Sequence, residues 1–267
     1  MASRALSRIA RTFTTSSPSL LPRSKPQPTP FACAKRFGNY EILVPPSVCP
    51  TPVALIPRRG VPEHIARPDY AETGKPTEWS GEIYINDELD VEGVRKACGL
   101  ARKILWMAGE LCKPGATTDH IDRALHDVIV GENAYPSPLN YMGFPRSVCT
   151  SVNNIIAHGI PNSRPLKNGD IINVDVTVYL GGYHGDTSAT FLVGDADAQG
   201  RDLVECTKES LQRAIDVCGP GVELREIGRT IRWVCVDVRC SGRNLSSAGL
   251  FDRESVWDSP FDGWFVN

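Results

Sequence analysis

The chain has 267 residues, 41% of them hydrophobic, and its 29 basic and 31 acidic side chains leave a net charge of −2. That length allows one large domain or two small ones, and the near balance of charge excludes a nucleic-acid surface or an acidic tail as an organising feature. Nine cysteines, scattered from Cys33 to Cys240 without a C-x-x-C pair, match neither a disulfide framework nor a zinc ribbon and read as reduced thiols, and no apolar run reaches the ~18 residues that a bilayer span needs, so no membrane partner is expected.

Residues 1–36 differ from the rest. They hold Arg4, Arg8, Arg11, Arg23, Lys25, Lys35 and Arg36, many Ser and Thr, and the first acid of the chain comes only at Glu41. Arg4, Arg8 and Arg11 recur at i, i+4 and i+7, with Leu6, Ile9 and Phe13 on the opposite face of the same short helix. A basic, hydroxyl-rich, amphipathic and acid-free segment has the composition of an organellar transit peptide, which predicts a mitochondrion, a chloroplast or both as destination. Residues 37–81 continue a proline-rich stretch: 13 of the 21 prolines fall between Pro18 and Pro76. Proline fixes φ and removes a backbone donor, so this region is expected to be a linker or extended arm, with folded structure beginning near Glu82.

Helical spacing of Val94, Ala97, Cys98, Ala101, Ile104, Leu105, Ala108 and Leu111 predicts a helix over residues 90–111, closed by Pro114-Gly115. A second helix follows, capped by Thr117 or Thr118, with Asp119 and Asp122 near the positive end of its dipole. Residues 147–153 and 171–180 are rich in β-branched side chains, and Gly181-Gly182 predicts a tight hairpin leading into a strand over 183–193. Helix returns over residues 199–218. Shifting the sequence by 106 positions lays Leu105, Cys112, Pro114, Gly115, Ile121 and Arg123 on Leu211, Cys218, Pro220, Gly221, Ile227 and Arg229, so one α+β unit is repeated.

In an ideal hairpin about Gly181-Gly182, Asp175 faces Ser188, and Asp186 becomes its diagonal neighbour on the same face. Two carboxylates so placed can converge on the paired cations of a two-metal hydrolase, which sit ~4 Å apart. An ionised Asp175 among Ile172, Val174, Val176 and Val178 would also be costly unless paired or metal-bound.

The runs Tyr135-Pro136-Ser137-Pro138-Leu139, Phe144-Pro145-Arg146-Ser147-Val148-Cys149-Thr150-Ser151-Val152-Asn153, His158-Gly159-Ile160-Pro161, Gly169-Asp170-Ile171-Ile172-Asn173-Val174-Asp175-Val176-Thr177-Val178 and His184-Gly185-Asp186-Thr187-Ser188 resemble type I methionine aminopeptidases. The resemblance is dense and ordered over residues 82–231. It implies the pseudo-twofold pita-bread fold, of the α/β (α+β) class, in agreement with the repeat. By the same resemblance Asp175 would bind one of two divalent metal ions and Asp186 would bridge both. The ions could be cobalt, manganese, iron or zinc, since carboxylate and imidazole donors do not separate these. His158 would be the catalytic histidine, contacting substrate beside the scissile amide. Tyr141, Phe144 and Cys149 would line an apolar slot for the methionine side chain, and His184 would be a supporting or surface residue. The implied activity is removal of initiator methionine from nascent proteins, with the N-terminal Met of nascent polypeptides and an organellar ribosome as partners.

The family draws three further ligands, one His and two Glu, from its second half. Here no histidine follows His184, and past the resemblance the one glutamate is Glu254. The expectation is therefore an incomplete catalytic domain over 82–232 with its second half cut short, followed by a non-matching tail over 233–267. A catalytically inactive truncated isoform, or a non-enzymatic module that binds nascent chains, is the alternative.

Overall fold

A computed structural model describes residues 40–43, 51–78 and 80–234; the basic segment 1–36 and the tail from residue 235 onward lie outside the described residues. The first helix, α1 (Tyr70–Thr73), ends at Gly74, whose left-handed φ of 72° suits a residue without Cβ. It lies within the stretch expected to be a linker. Folded structure thus begins well before Glu82: Leu43, Ile65 and Tyr70 are 5%, 3% and 4% exposed. Prolines forbid a regular ladder, but an extended chain can still bury side chains and pair its backbone through other groups. Leu43, for instance, exchanges both of its backbone hydrogen bonds with the Asn154 side-chain amide, at 2.7 and 2.8 Å.

Helix α2 (Glu88–Leu111) starts two residues earlier than the apolar spacing predicts, because Asp87 and Asp90 form a capping box. Ala97, Ala101, Ile104, Leu105 and Ala108 make its buried stripe, while Cys98, one position off that stripe, is exposed. Helix α3 (Thr118–Gly131) is capped by Thr117, whose hydroxyl accepts from the His120 N–H at 3.2 Å. The sheet comprises β1 (Tyr135–Pro136), β2 (Cys149–Val152), β3 (Ile171–Leu180) and β4 (Tyr183–Leu192), all antiparallel to β3. One edge of β3 is paired along its full length by β4; the other carries β2 against residues 172–175 and β1 against residues 178–179. On one face Ile172, Val174, Val176 and Val178 are fully buried in the core with Ala101, Ile104 and Ala108 of α2. The other face presents Asn173, Asp175, Thr177 and Tyr179, each half-buried.

This alternation corrects the expectation that Asp175 is embedded among valine and isoleucine side chains. Successive residues of a strand point to opposite faces, so its apolar chain neighbours belong to the helix side and Asp175 to the open side.

The repeat is present as helix, break and helix: α4 (Ala198–Asp216) and α5 (Arg225–Arg232) follow the sheet, and both Pro-Gly breaks place glycine in the left-handed region, Gly115 at φ 88° and Gly221 at φ 80°. Equivalent residues differ in burial. Leu105 is 8% exposed and Leu211 is 55% exposed.

Where α2 crosses β4 the backbones nearly touch. A Cβ on Gly185 would lie 2.2 Å from the Ala97 carbonyl carbon and 2.4 Å from its oxygen. Gly185→Ala is therefore expected to push helix from strand and lower stability by ~1–3 kcal/mol, read as a lower urea midpoint at unchanged m-value. A midpoint equal to that of the parent chain would contradict this contact.

Candidate metal centre

The hairpin register is as its turn dictates: Leu180 pairs with Tyr183, Asp175 with Ser188, and Thr177 with Asp186. Asp175 and Asp186 thereby share the open face of the sheet. Thr177 donates its hydroxyl to Asp186 Oδ1 at 2.8 Å, and the Asp175 carboxyl is hydrogen-bonded to Asp186. Burial, followed by the charge of Asp186, pushes the Asp175 carboxyl up from its ordinary value to about 7. Two carboxylates in contact, Asp175 half-buried and Asp186 at the exposed rim of the sheet, are relieved by a shared proton or by a cation between them. Oxygen donors of this kind suit a hard or borderline divalent ion, so the pair fits one side of a metal site. Among the described residues no third His, Cys, Asp or Glu joins them in a metal-holding group.

The raised carboxyl has a thermodynamic consequence. A folded-state value above the ordinary 3.8 means that the folded chain holds its proton more tightly than the unfolded chain, so the stabilisation is present below pH ~4 and is lost as pH rises through about 7. Without metal, the parent chain is expected to lose roughly 2 kcal/mol between pH 4 and pH 8 relative to Asp175→Asn. Urea unfolding of both proteins across that range checks it, and parallel stability curves would contradict it.

Of the remaining predicted residues, Cys149 and His158 lie near this pair, and Tyr141 is linked to the same face through Tyr70 and His184. Cys149 is the direct cross-strand partner of Asp175 and is 1% exposed. Burial and the nearby Asp175 and Asp186 push its thiol well above the ordinary range, so it is a small apolar wall rather than a nucleophile. His158 sits in the left-handed region at φ 53°, held there by its neighbour: Gly159 donates its N–H to Ser151 Oγ at 3.1 Å and accepts from the Thr150 N–H at 2.8 Å. A Cβ on Gly159 would meet the Thr150 oxygen at 2.1 Å. Burial holds the His158 imidazole below its ordinary value, partly offset by the Asp186 charge it faces. Tyr141 and Phe144 lie on the loop from β1 to β2, half-buried and 2% exposed respectively. That loop turns through Asn140, Met142 and Gly143, all with positive φ.

Several supporting residues were not legible as such in the sequence. Asp122, expected only as a helix-end charge, is fully buried: its Oδ1 accepts from the Ser147 and Val148 N–H groups at 2.7 and 3.2 Å, and its Oδ2 from Arg59 Nε at 2.8 Å. It ties α3 and the proline-rich arm to the run entering Cys149. Ser137 Oγ pairs with His184 Nδ1 at 2.9 Å, and Tyr70 donates to the Ser137 carbonyl at 2.8 Å. For Tyr70 one signal existed, the Pro68-Asp69 start and Gly74 stop of a minimal helix.

Residues 92–249 match metallopeptidase family M24. The chain is 54% identical over 180 residues to "Methionine aminopeptidase 1D, mitochondrial" of Danio rerio, covering 67% of this chain and 53% of that one. With "Methionine aminopeptidase 1D, chloroplastic/mitochondrial" of Arabidopsis thaliana it shares 54% identity over 180 residues, or 67% of this chain and 51% of that one. It therefore spans about half the length of these relatives. Among solved structures, methionine aminopeptidase from Rickettsia prowazekii aligns with a TM-score of 0.57 at 43% identity, over 57% of this chain and 62% of that one. The enzyme from Thermotoga maritima aligns with a TM-score of 0.56 at 29% identity, over 57% and 62%. The expected pita-bread α/β fold is thus the fold found.

Proposed function

The chain belongs to metallopeptidase family M24, and from that premise we propose that it removes the N-terminal methionine from nascent polypeptides by metal-dependent hydrolysis. The observation that carries this reading is the contact between Asp175 and Asp186 on the open sheet face, a carboxylate pair to which the Thr177 hydroxyl donates. In the proposed assignment Asp175 would hold one divalent ion and Asp186 would serve both. Such ions would supply a polarised carbonyl and a water activated at neutral pH. His158, uncharged at neutral pH because burial disfavours its protonated form, offers a ring N–H to the substrate beside the scissile amide. Tyr141, Phe144 and Cys149 receive the thioether side chain, and the suppressed ionisation of Cys149 keeps that slot apolar.

Identity above one half over two thirds of this chain to proteins named as enzymes favours catalysis over a non-enzymatic nascent-chain module or an inactive form. Those relatives are named mitochondrial or chloroplastic, and with the basic segment 1–36 this supports an organellar site of action, where the substrate is the N-terminal Met of newly made chains. A reporter fused to residues 1–38 should be imported; one that stays in the cytosol removes the targeting part of the proposal. The activity itself is tested by methionine release from a Met-Ala-Ser peptide with cobalt, manganese, iron or zinc added. Release lost on chelation and restored by metal is the expected result, and no release with any of the four ions overturns it.

A further inference from the structure

We propose that Tyr70, in a segment preceding the residues that match family M24, is a positioning residue for the methionine pocket, fixing Tyr141 and His184 from behind. The inference rests on the reading of Tyr141, Phe144 and Cys149 as that pocket. Tyr70 is 4% exposed, and its ring meets two neighbours. It stands edge-on to Tyr141 with centroids 4.8 Å apart and 84° between planes, and lies nearly parallel to the His184 imidazole at 6.4 Å and 16°. His184 is flanked on another side by Tyr179 at 4.9 Å. The Tyr70 hydroxyl donates to the Ser137 carbonyl, and Ser137 Oγ pairs with His184 Nδ1, so one residue reaches the imidazole both by its ring and through a two-bond relay.

Helix α1 is also bolted to the pocket loop by its backbone. Asn140, the residue before Tyr141, donates its amide to the Ala71 carbonyl at 2.8 Å. In turn its own N–H donates to the Phe144 carbonyl at 2.8 Å and its carbonyl accepts from the Gly143 N–H at 3.1 Å. Gly74 packs so closely that a Cβ there would touch the Asn140 carbonyl and side-chain oxygens at 3.3 Å. The edge-to-face contact of Tyr70 with Tyr141 and the Asn140 amide on the Ala71 carbonyl are what hold a loop with three positive-φ residues against the four-residue helix. Tyr141 is half-buried and Tyr70 is covered, so Tyr70 acts on a bound side chain through Tyr141 rather than by touching it.

The test uses the full 267-residue chain with 13C-labelled histidine and tyrosine rings. In Tyr70→Leu, and in Gly74→Ala, which pushes α1 off Asn140 without deleting the ring, the Tyr141 and His184 resonances should move while those of His64 and His120 stay in place. Tyr70→Phe, which keeps the ring, should leave them near their parent positions. Binding of Met-Ala-Ser and Leu-Ala-Ser peptides gives the second readout: the preference for methionine should fall about fivefold or more in Tyr70→Leu and survive in Tyr70→Phe, whereas simple loss of folded protein would weaken both peptides alike. Unmoved Tyr141 and His184 resonances in both disruptive variants, or collapse of all histidine signals in Tyr70→Phe as well, overturn the proposal. If the parent chain shows no preference between the peptides, the pocket reading fails on its own, and the ring resonances still decide whether Tyr70 positions its two neighbours.

Discussion

Replacing Asp186 by asparagine is expected to remove divalent-metal binding and, with it, methionine release by at least ~1000-fold, because a bound cation supplies several kcal/mol of charge stabilisation and each 1.4 kcal/mol is worth tenfold in rate. Asp186 lies diagonal to Asp175 on the open face of the hairpin, accepts from Thr177, and adds its charge to the burial that shifts both His158 and Cys149. On the proposed assignment it serves both ions. Asp175→Asn should then be the milder change, weakening one ion and sparing part of the other. Asparagine keeps the size and the hydrogen bond of the side chain, so a loss seen in it reflects charge and not packing. Cobalt titration followed by absorption gives the two affinities directly. Equal metal content in the two variants would refute the bridging role.

Asp122→Ala is expected to destabilise the chain by ~3–5 kcal/mol, the range for removing one member of a buried ion pair. The carboxylate is 0% exposed on its side chain and faces Arg59, itself 18% exposed, at 2.8 Å. Its other oxygen satisfies two successive backbone N–H groups at Ser147 and Val148. Truncation leaves those donors and the guanidinium without their acceptor in a site that water enters poorly. Arg59 also reaches Asp119 at 3.1 Å and Arg146 reaches Asp119 at 2.8 Å, so part of the positive charge keeps a partner and the loss should fall short of complete unfolding. Because Ser147 and Val148 lead directly into Cys149, the variant should also loosen the pocket strand. Urea unfolding and amide exchange at residues 147–150 read both effects, and a midpoint within error of the parent chain would remove Asp122 from the support of the site.

What the sequence determined was everything that follows from local period and turn chemistry. The helical spacing of Ala97, Ala101, Ile104 and Ala108, a threonine cap at Thr117 or Thr118, and the Gly181-Gly182 turn predicted α2, the start of α3 and the hairpin; the structure chose Thr117 as the cap. Because a two-residue turn leaves no freedom in register, the pairing of Asp175 with Ser188, and hence the approach of Asp186, followed without any tertiary information. The Pro-Gly repeat likewise announced both helix breaks, whose glycines, Gly115 and Gly221, the structure places in the left-handed region. What only the tertiary structure decided were contacts between segments far apart in the chain, which no period encodes. The proline-rich arm has no hydrophobic spacing to betray that Leu43, Ile65 and Tyr70 are buried, since an extended strand of chain binds through single side chains and isolated backbone groups. Asp122 looks like a solvated helix-end charge until Arg59, 63 positions away, is placed against it. Cys149 acquires its suppressed ionisation only when β2 is buried in the sheet, beside Asp175, and Tyr70 meets Tyr141 and His184 only because α1 docks on a loop about 70 residues downstream.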